Sequence, residues 1–180
     1  MPIQIGEKPQ ADFDNPLGML SDCHRRIERF LAALVHVARE KNGGPLDDRE
    51  RAALQSALDY FRHSGPRHTA DEEESLFPRM RGCSEAADAL ASIEALHADH
   101  IAADRAHAEV DQLVSRWLSQ QQLDESEAKR LNELLHLLST LYARHIQVED
   151  TEVFPAASRA LNAGDIARIG DEMARRRGLR

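Results

Sequence analysis

Two segments of the 180-residue chain, His68 to Pro78 and His145 to Pro155, follow one pattern: His-x-x-x-Glu-[Glu/Asp]-x-x-[Leu/Val]-Phe-Pro. On an α-helix, residues four apart differ by about 40° in direction and about 6 Å in height, so a histidine and a glutamate at that spacing can converge on one point. The pair alone says little, because His24/Glu28 and His36/Glu40 share the spacing in a chain with nine histidines and 31 acidic residues. What sets the two segments apart is the extension: a second acid at Glu73 and Asp150, then Leu76-Phe77-Pro78 against Val153-Phe154-Pro155.

The repetition is wider than the motif. His24 precedes His68 by 44 residues and His100 precedes His145 by 45; His24 to His100 is 76 residues and His68 to His145 is 77. The chain reads as two helical hairpins, each with one histidine on its first helix and His-x-x-x-Glu on its second.

Local signals agree. Asn15-Pro16 opens a first helix, with Leu20, Ile27, Leu31 and Leu34 at helical spacing and Gly43-Gly44-Pro45 as its end. Asp47 and Glu50 form a capping box for a second helix reaching toward Arg79, which Ser64-Gly65-Pro66 is expected to kink or interrupt. Ser84 is the expected cap of a third helix ending near Trp117, and a fourth spans about Glu125 to Phe154. A tail helix carries Ile166, Ile169 and Met173. The expected fold is all-α: an up-down-up-down four-helix bundle over residues 14–160, after an N-terminal extension of residues 1–13 and before a helical tail of residues 161–180.

Few aromatic residues and no strand-like alternation support the helical class. A net charge of −8 gives no support to a nucleic-acid partner. The run Arg175-Arg176-Arg177 reads as a solvated helix end. No apolar run approaches a membrane span and no signal-peptide pattern is present, so the expected location is the cytoplasm, with Cys23 and Cys83 reduced.

His24 shares an apolar stripe with Leu20, Ile27 and Leu31, His100 lies near Ile93 and Leu96, and His145 follows the stripe Leu134, Leu138, Leu141. A single core histidine usually means packing. Four of them with two core carboxylates are different, because a buried carboxylate needs a compensating cation. Imidazole and carboxylate without thiolate suit iron, manganese or zinc.

At these residues the chain resembles hemerythrin-like domains of the His-His-Glu cation-binding type, over roughly Leu20 to Pro155. The resemblance implies a four-helix bundle around a non-haem di-iron centre, oxo- or hydroxo-bridged when oxidised. His24, His68, His100 and His145 would be iron ligands, and Glu72 and Glu149 bridging carboxylates. Oxygen-carrying members have five histidines, with a pair four apart on the third helix; here those places hold Leu96 and Asp104. The implied functions are binding or sensing of oxygen, nitric oxide or peroxide, iron homeostasis, reduction of peroxide or nitric oxide, or iron–sulfur repair. Repair proteins carry an added N-terminal cysteine segment, and Met1 to Asp14 holds no cysteine.

Around this set stand weaker candidates. His97 and Asp104 are possible extra ligands, Glu28 and Glu73 outer groups, and Tyr142, one turn before His145, a possible partner of a bound ligand. His97 and His107 are expected at solvated edges, and His36 and His136 exposed. Two other readings compete. A ferritin-like centre would use Glu94/His97 and Glu133/His136, the Glu-x-x-His spacing of that class. A metal-free structural bundle would use the histidines as core residues.

Overall fold

The computed structural model describes residues 11–179, so most of the expected N-terminal extension lies outside them. The described residues are helical, without strands: α1 (Pro16–Lys41), α2 (Asp48–Asp71), α3 (Phe77–Arg81), α4 (Leu90–Gln120), α5 (Glu125–Val148), α6 (Phe154–Ala160) and α7 (Ala163–Arg176). Helix α1 packs on α2 and α5, α4 packs on α5, and α2 meets α4 more loosely. This is a helical bundle with a further helix, α7, against α1 and α2.

The caps behave as the sequence implies. Asn15 accepts from Gly18 N–H, with Pro16 in the first turn. Asp47/Glu50 and Asp124/Glu127 form reciprocal capping boxes, and Asn162 caps α7. Ser84 does not cap the third long helix. Its hydroxyl bonds the Glu85 carboxylate, and a 3₁₀ stretch from Ser84 to Ala89 precedes α4.

Pro66 does not interrupt α2, which is helical from Asp48 to Asp71. Pro66 is exposed, so the Arg62 carbonyl that loses its donor lies on a face open to water. The irregularities fall later, in matching places. Glu72–Leu76 and Glu149–Val153 are single wide π turns, closed by Phe77 N–H to Glu72 C=O and Phe154 N–H to Glu149 C=O. Pro78 and Pro155 explain them. Each lacks an N–H and crowds the carbonyl four residues back, which is Glu74 or Thr151 inside the wide turn. The Phe-Pro of the repeated motif thus sets the backbone just after the ligand-type glutamate.

Two apolar clusters flank the middle of the bundle. One holds Leu31, Leu34, Leu54, Val114, Trp117 and Leu138. The other holds Leu20, Phe77, Met80, Ile93, Phe154 and Met173. Each large side chain fully buried there contributes roughly 1.5–3 kcal/mol. Helix α7 is seated by Ile169 and Met173 and by a close backbone contact: a Cβ on Gly170 would lie 1.9 Å from the Phe13 carbonyl oxygen, so only glycine fits.

Of the tail arginines, Arg175 is exposed as expected, but Arg176 and Arg177 turn inward. Arg176 and Arg177 both bond Asp71, which is 0% exposed, at 2.9 Å and 2.6 Å. Arg79 pairs with Glu172 on the same helix at 2.8 Å. Their charge turns inward because Asp71 leaves the second helix on the side that α7 covers.

Candidate metal centre

His24, His68, His100 and His145 are all buried, and Glu72 and Glu149 are 0% exposed. They occupy the level between the two apolar clusters, one histidine from each long helix. Helical spacing delivers His68 with Glu72 and His145 with Glu149, each histidine Nε2 lying 3.2 Å from its own helix's glutamate. The other contacts cross between hairpins: His100 Nε2 is 3.2 Å from Glu72, and His24 Nε2 is 3.0 Å from Glu149.

Two overlapping clusters result. His24, His68, Glu72 and Glu149 form one; His100, His145, Glu72 and Glu149 form the other. Within each, one ligand-type atom per residue lies within 4.8 Å of the rest. Each cluster takes both histidines from one hairpin, and both clusters use both glutamates. Cys23 joins neither, so the donors are imidazole and carboxylate alone.

The fit to a cation rests on unsatisfied atoms. Both oxygens of Glu72 and Glu149, Nε2 of His24 and His100, and Nδ1 of His68 and His145 are buried without a hydrogen-bond partner. The short nitrogen–oxygen approaches above lack hydrogen-bond geometry: the groups face a common point rather than each other. Nδ1 of His68 and His145, on the far side of each ring from its glutamate, lies outside the set that a bound cation would satisfy. The four carboxylate oxygens and Nε2 of His24 and His100 form that set, and stranding them in a core costs more than a fold of ordinary stability can bear. A metal-free structural bundle does not account for them.

Charge says the same. Burial, then the adjacent Glu149 carboxylate, pushes the Glu72 carboxyl well above its usual range. Burial acts the same way on Glu149, but His145 and His24 outweigh it and hold that carboxyl low. Burial also opposes protonation of His24, yet Asp150 and Glu149 overcome it and raise the imidazole to about 10. His68, with burial and the neighbouring His24 against it, stays well below the usual histidine value. Without a metal the site must hold protons to tolerate its own carboxylates; divalent cations remove that need.

Two carboxylates orient the first-helix histidines, and both come from the opposite hairpin. Glu73 Oε1 lies 2.8 Å from His100 Nδ1, and Asp150 Oδ1 lies 3.1 Å from His24 Nδ1. Asp150 also accepts from Ser21 Oγ at 2.9 Å. Glu73 was anticipated as an outer group. Asp150 was legible only as the repeat partner of Glu73. Asp99, 3.5 Å from His145 Nδ1 and paired with Arg144, had no local signal. Phe154 stacks on His24, and Phe77 on His100.

The other candidates separate clearly. Glu28 is exposed and outside both clusters. His97 is 51% exposed at its side chain and bonds Glu73 at 3.0 Å, so it braces the brace. Asp104 is exposed and edges a small cavity beside His68, His100 and His145. Tyr142 edges it too, with its hydroxyl 3.0 Å from His107 Nε2. His107 is therefore not at a solvated edge: its ring stacks on Phe61 at 4.3 Å, because α4 turns it toward α2 and α5. His36 and His136 are exposed as expected, and so are Glu94, His97 and Glu133, which leaves the ferritin-like set unassembled.

A curated protein of Haemophilus influenzae, named "Uncharacterized protein", is 28% identical over 189 residues, covering 99% of each chain. The hemerythrin HHE cation binding domain matches residues 15–157, which contain all six residues of the two clusters. With its paired motifs, its helical bundle and its buried histidine–glutamate clusters, the chain belongs to the hemerythrin HHE cation-binding family.

Proposed function

We propose that the protein is a non-haem di-iron protein that binds or senses oxygen, nitric oxide or peroxide, or serves iron homeostasis. The observation that carries this reading is the sharing of Glu72 and Glu149 between two histidine pairs. One ion would be held by His24 and His68 and the other by His100 and His145, with both glutamates reaching both. Bound iron would supply redox-active centres with coordination positions left for a small ligand, whereas zinc in the same donors would offer no redox chemistry.

The chain's own residues prepare that site. Glu73 and Asp150 accept from Nδ1–H of His100 and His24, which fixes the tautomer and leaves each Nε2 lone pair turned inward. Because each acceptor sits on the opposite hairpin, the two halves of the site are tied together. Phe77 and Phe154 shield the rings from water.

In this reading the four long helices of residues 14–160 alternate in direction, residues 161–180 pack as a tail, and the protein works in the cytoplasm with a diatomic gas or peroxide as its partner. Catalytic reduction of peroxide or nitric oxide is the second reading, favoured by the small cavity that reaches three of the histidines. Turnover under a reductant separates the two.

The test is iron content after anaerobic Fe(II) loading, with absorption spectra before and after air. The expected result is about two irons per chain, as for other paired-metal sites, with His68→Ala and His145→Ala each losing one. One iron or none in the unaltered chain overturns the reading.

A further inference from the structure

The seam between α2 and α4 is looser than those of α1 with α2, α1 with α5 and α4 with α5. Two cavities follow one another through it. The outer is a cleft of about 540 Å³, whose mouth is edged by the exposed Arg62, Pro66, Asp104, Ala108 and Gln112. The inner is a chamber of about 40 Å³ lying against His68, His100 and His145. Phe61, Pro66, Thr69, Asp104 and His107 line both and so stand between cleft and chamber, with Tyr142 behind them on the chamber side.

The chain makes this room at some expense. Gly65, in the interior of α2, lines the chamber, and a mid-helix glycine costs about 1 kcal/mol relative to alanine. Ala103, one turn beyond His100, offers the chamber a methyl group. The dividing wall is better built. His107 is stacked on Phe61 and bonded to the Tyr142 hydroxyl, so three side chains from three helices hold each other in place.

Size and charge then define what passes. A chamber of about 40 Å³ exceeds the roughly 10–15 Å³ that one water needs and has room for only a few heavy atoms. At the mouth, Asp111 is neutralised by Arg62, with nitrogen to oxygen at 2.9 Å. The exposed Asp104 carboxylate borders both cavities and repels anions.

We propose that the α2–α4 cleft is the entry path to the metal centre. The Phe61–His107–Tyr142 wall sets its limit, admitting an uncharged diatomic gas and holding back anions and larger molecules. This rests on the small-ligand reading above, and the test separates the two. Xenon-129 NMR on the chain as purified, before iron is added, reads the path alone. The expected result is a saturable xenon shift that Gly65→Leu removes, while a shift unchanged by Gly65→Leu overturns the path.

On iron-loaded protein, stopped-flow mixing with nitric oxide and with azide reads passage. Ala108→Trp, at an exposed position over the mouth, should slow nitric oxide by about tenfold or more. Phe61→Ala should quicken it and narrow the gap between nitric oxide and azide. Nitric oxide rates unmoved by both variants, at unchanged iron content, overturn the proposal while leaving the di-iron reading standing. If no iron binds, that reading falls and the xenon result decides the path by itself.

Discussion

Asp150 reaches across the bundle to His24, its Oδ1 3.1 Å from Nδ1 of a histidine 126 positions earlier in the chain. The contact orients one proposed ligand from the hairpin that supplies the other pair. Outer carboxylates of this kind change metal affinity by about 10–100-fold when removed. Asp150→Ala should weaken iron retention by that order, and Asp150→Asn, which keeps an acceptor oxygen, by less. Competition against a chelator measures both. Equal affinity in all three proteins would leave Asp150 without a positioning role.

The Asp71 clamp makes an ordered prediction. The double change Arg176→Ala/Arg177→Ala leaves a wholly buried carboxylate without its two counter-charges, a loss of about 3–5 kcal/mol. Asp71→Ala leaves guanidiniums that already reach solvent and still have Glu74, Ser75 or Met173 C=O, so it should cost less. Urea unfolding of both variants gives the order. The reverse order would mean that Asp71 is satisfied by something other than α7.

Gly65 gives a stabilising change. Apart from its chain neighbours, a Cβ there would meet only Phe61 Cδ1, at 3.9 Å, so alanine meets no clash from elsewhere in the fold. Gly65→Ala should raise stability by about 0.5–1 kcal/mol through helix propensity. A destabilised variant would show instead that the Pro66 ring crowds a Cβ at position 65.

Burial holds the His107 imidazole down at about 4, against 6.5 in an open chain. Between those values the unfolded state binds a proton that the folded state refuses. Stability is therefore fully present above pH 6.5 and falls as pH drops toward 4, by up to about 3 kcal/mol from this group. His68 is depressed in the same sense, so the measurement is the difference between His107→Gln and the unaltered chain at matched metal content. The variant should lose less stability over that window; identical slopes would contradict the assignment.

The six residues of the two clusters were legible because each half of the repeat writes them at helical spacing. His68 with Glu72 needs nothing beyond one turn of helix. The braces were not legible in the same way. That Asp150 serves His24 and Glu73 serves His100 depends on how the hairpins face each other, which no local spacing encodes. His107 shares its direction on α4 with His100, yet its burial depends on Phe61 and Tyr142 from other helices. Arg176 and Arg177 looked solvated because their partner, Asp71, lies more than a hundred positions away. Pro66 and Pro78 look alike as helix breakers. Pro66 sits on an open face within regular helix, and Pro78 follows a π turn, a difference set by packing.

Iron K-edge X-ray absorption on the loaded protein tests the central claim most directly, because sharing Glu72 and Glu149 forces the two ions together. The expected spectrum shows nitrogen and oxygen neighbours and a second iron at about 3.5–4 Å. Two irons per chain without that iron–iron vector would contradict a shared-carboxylate centre.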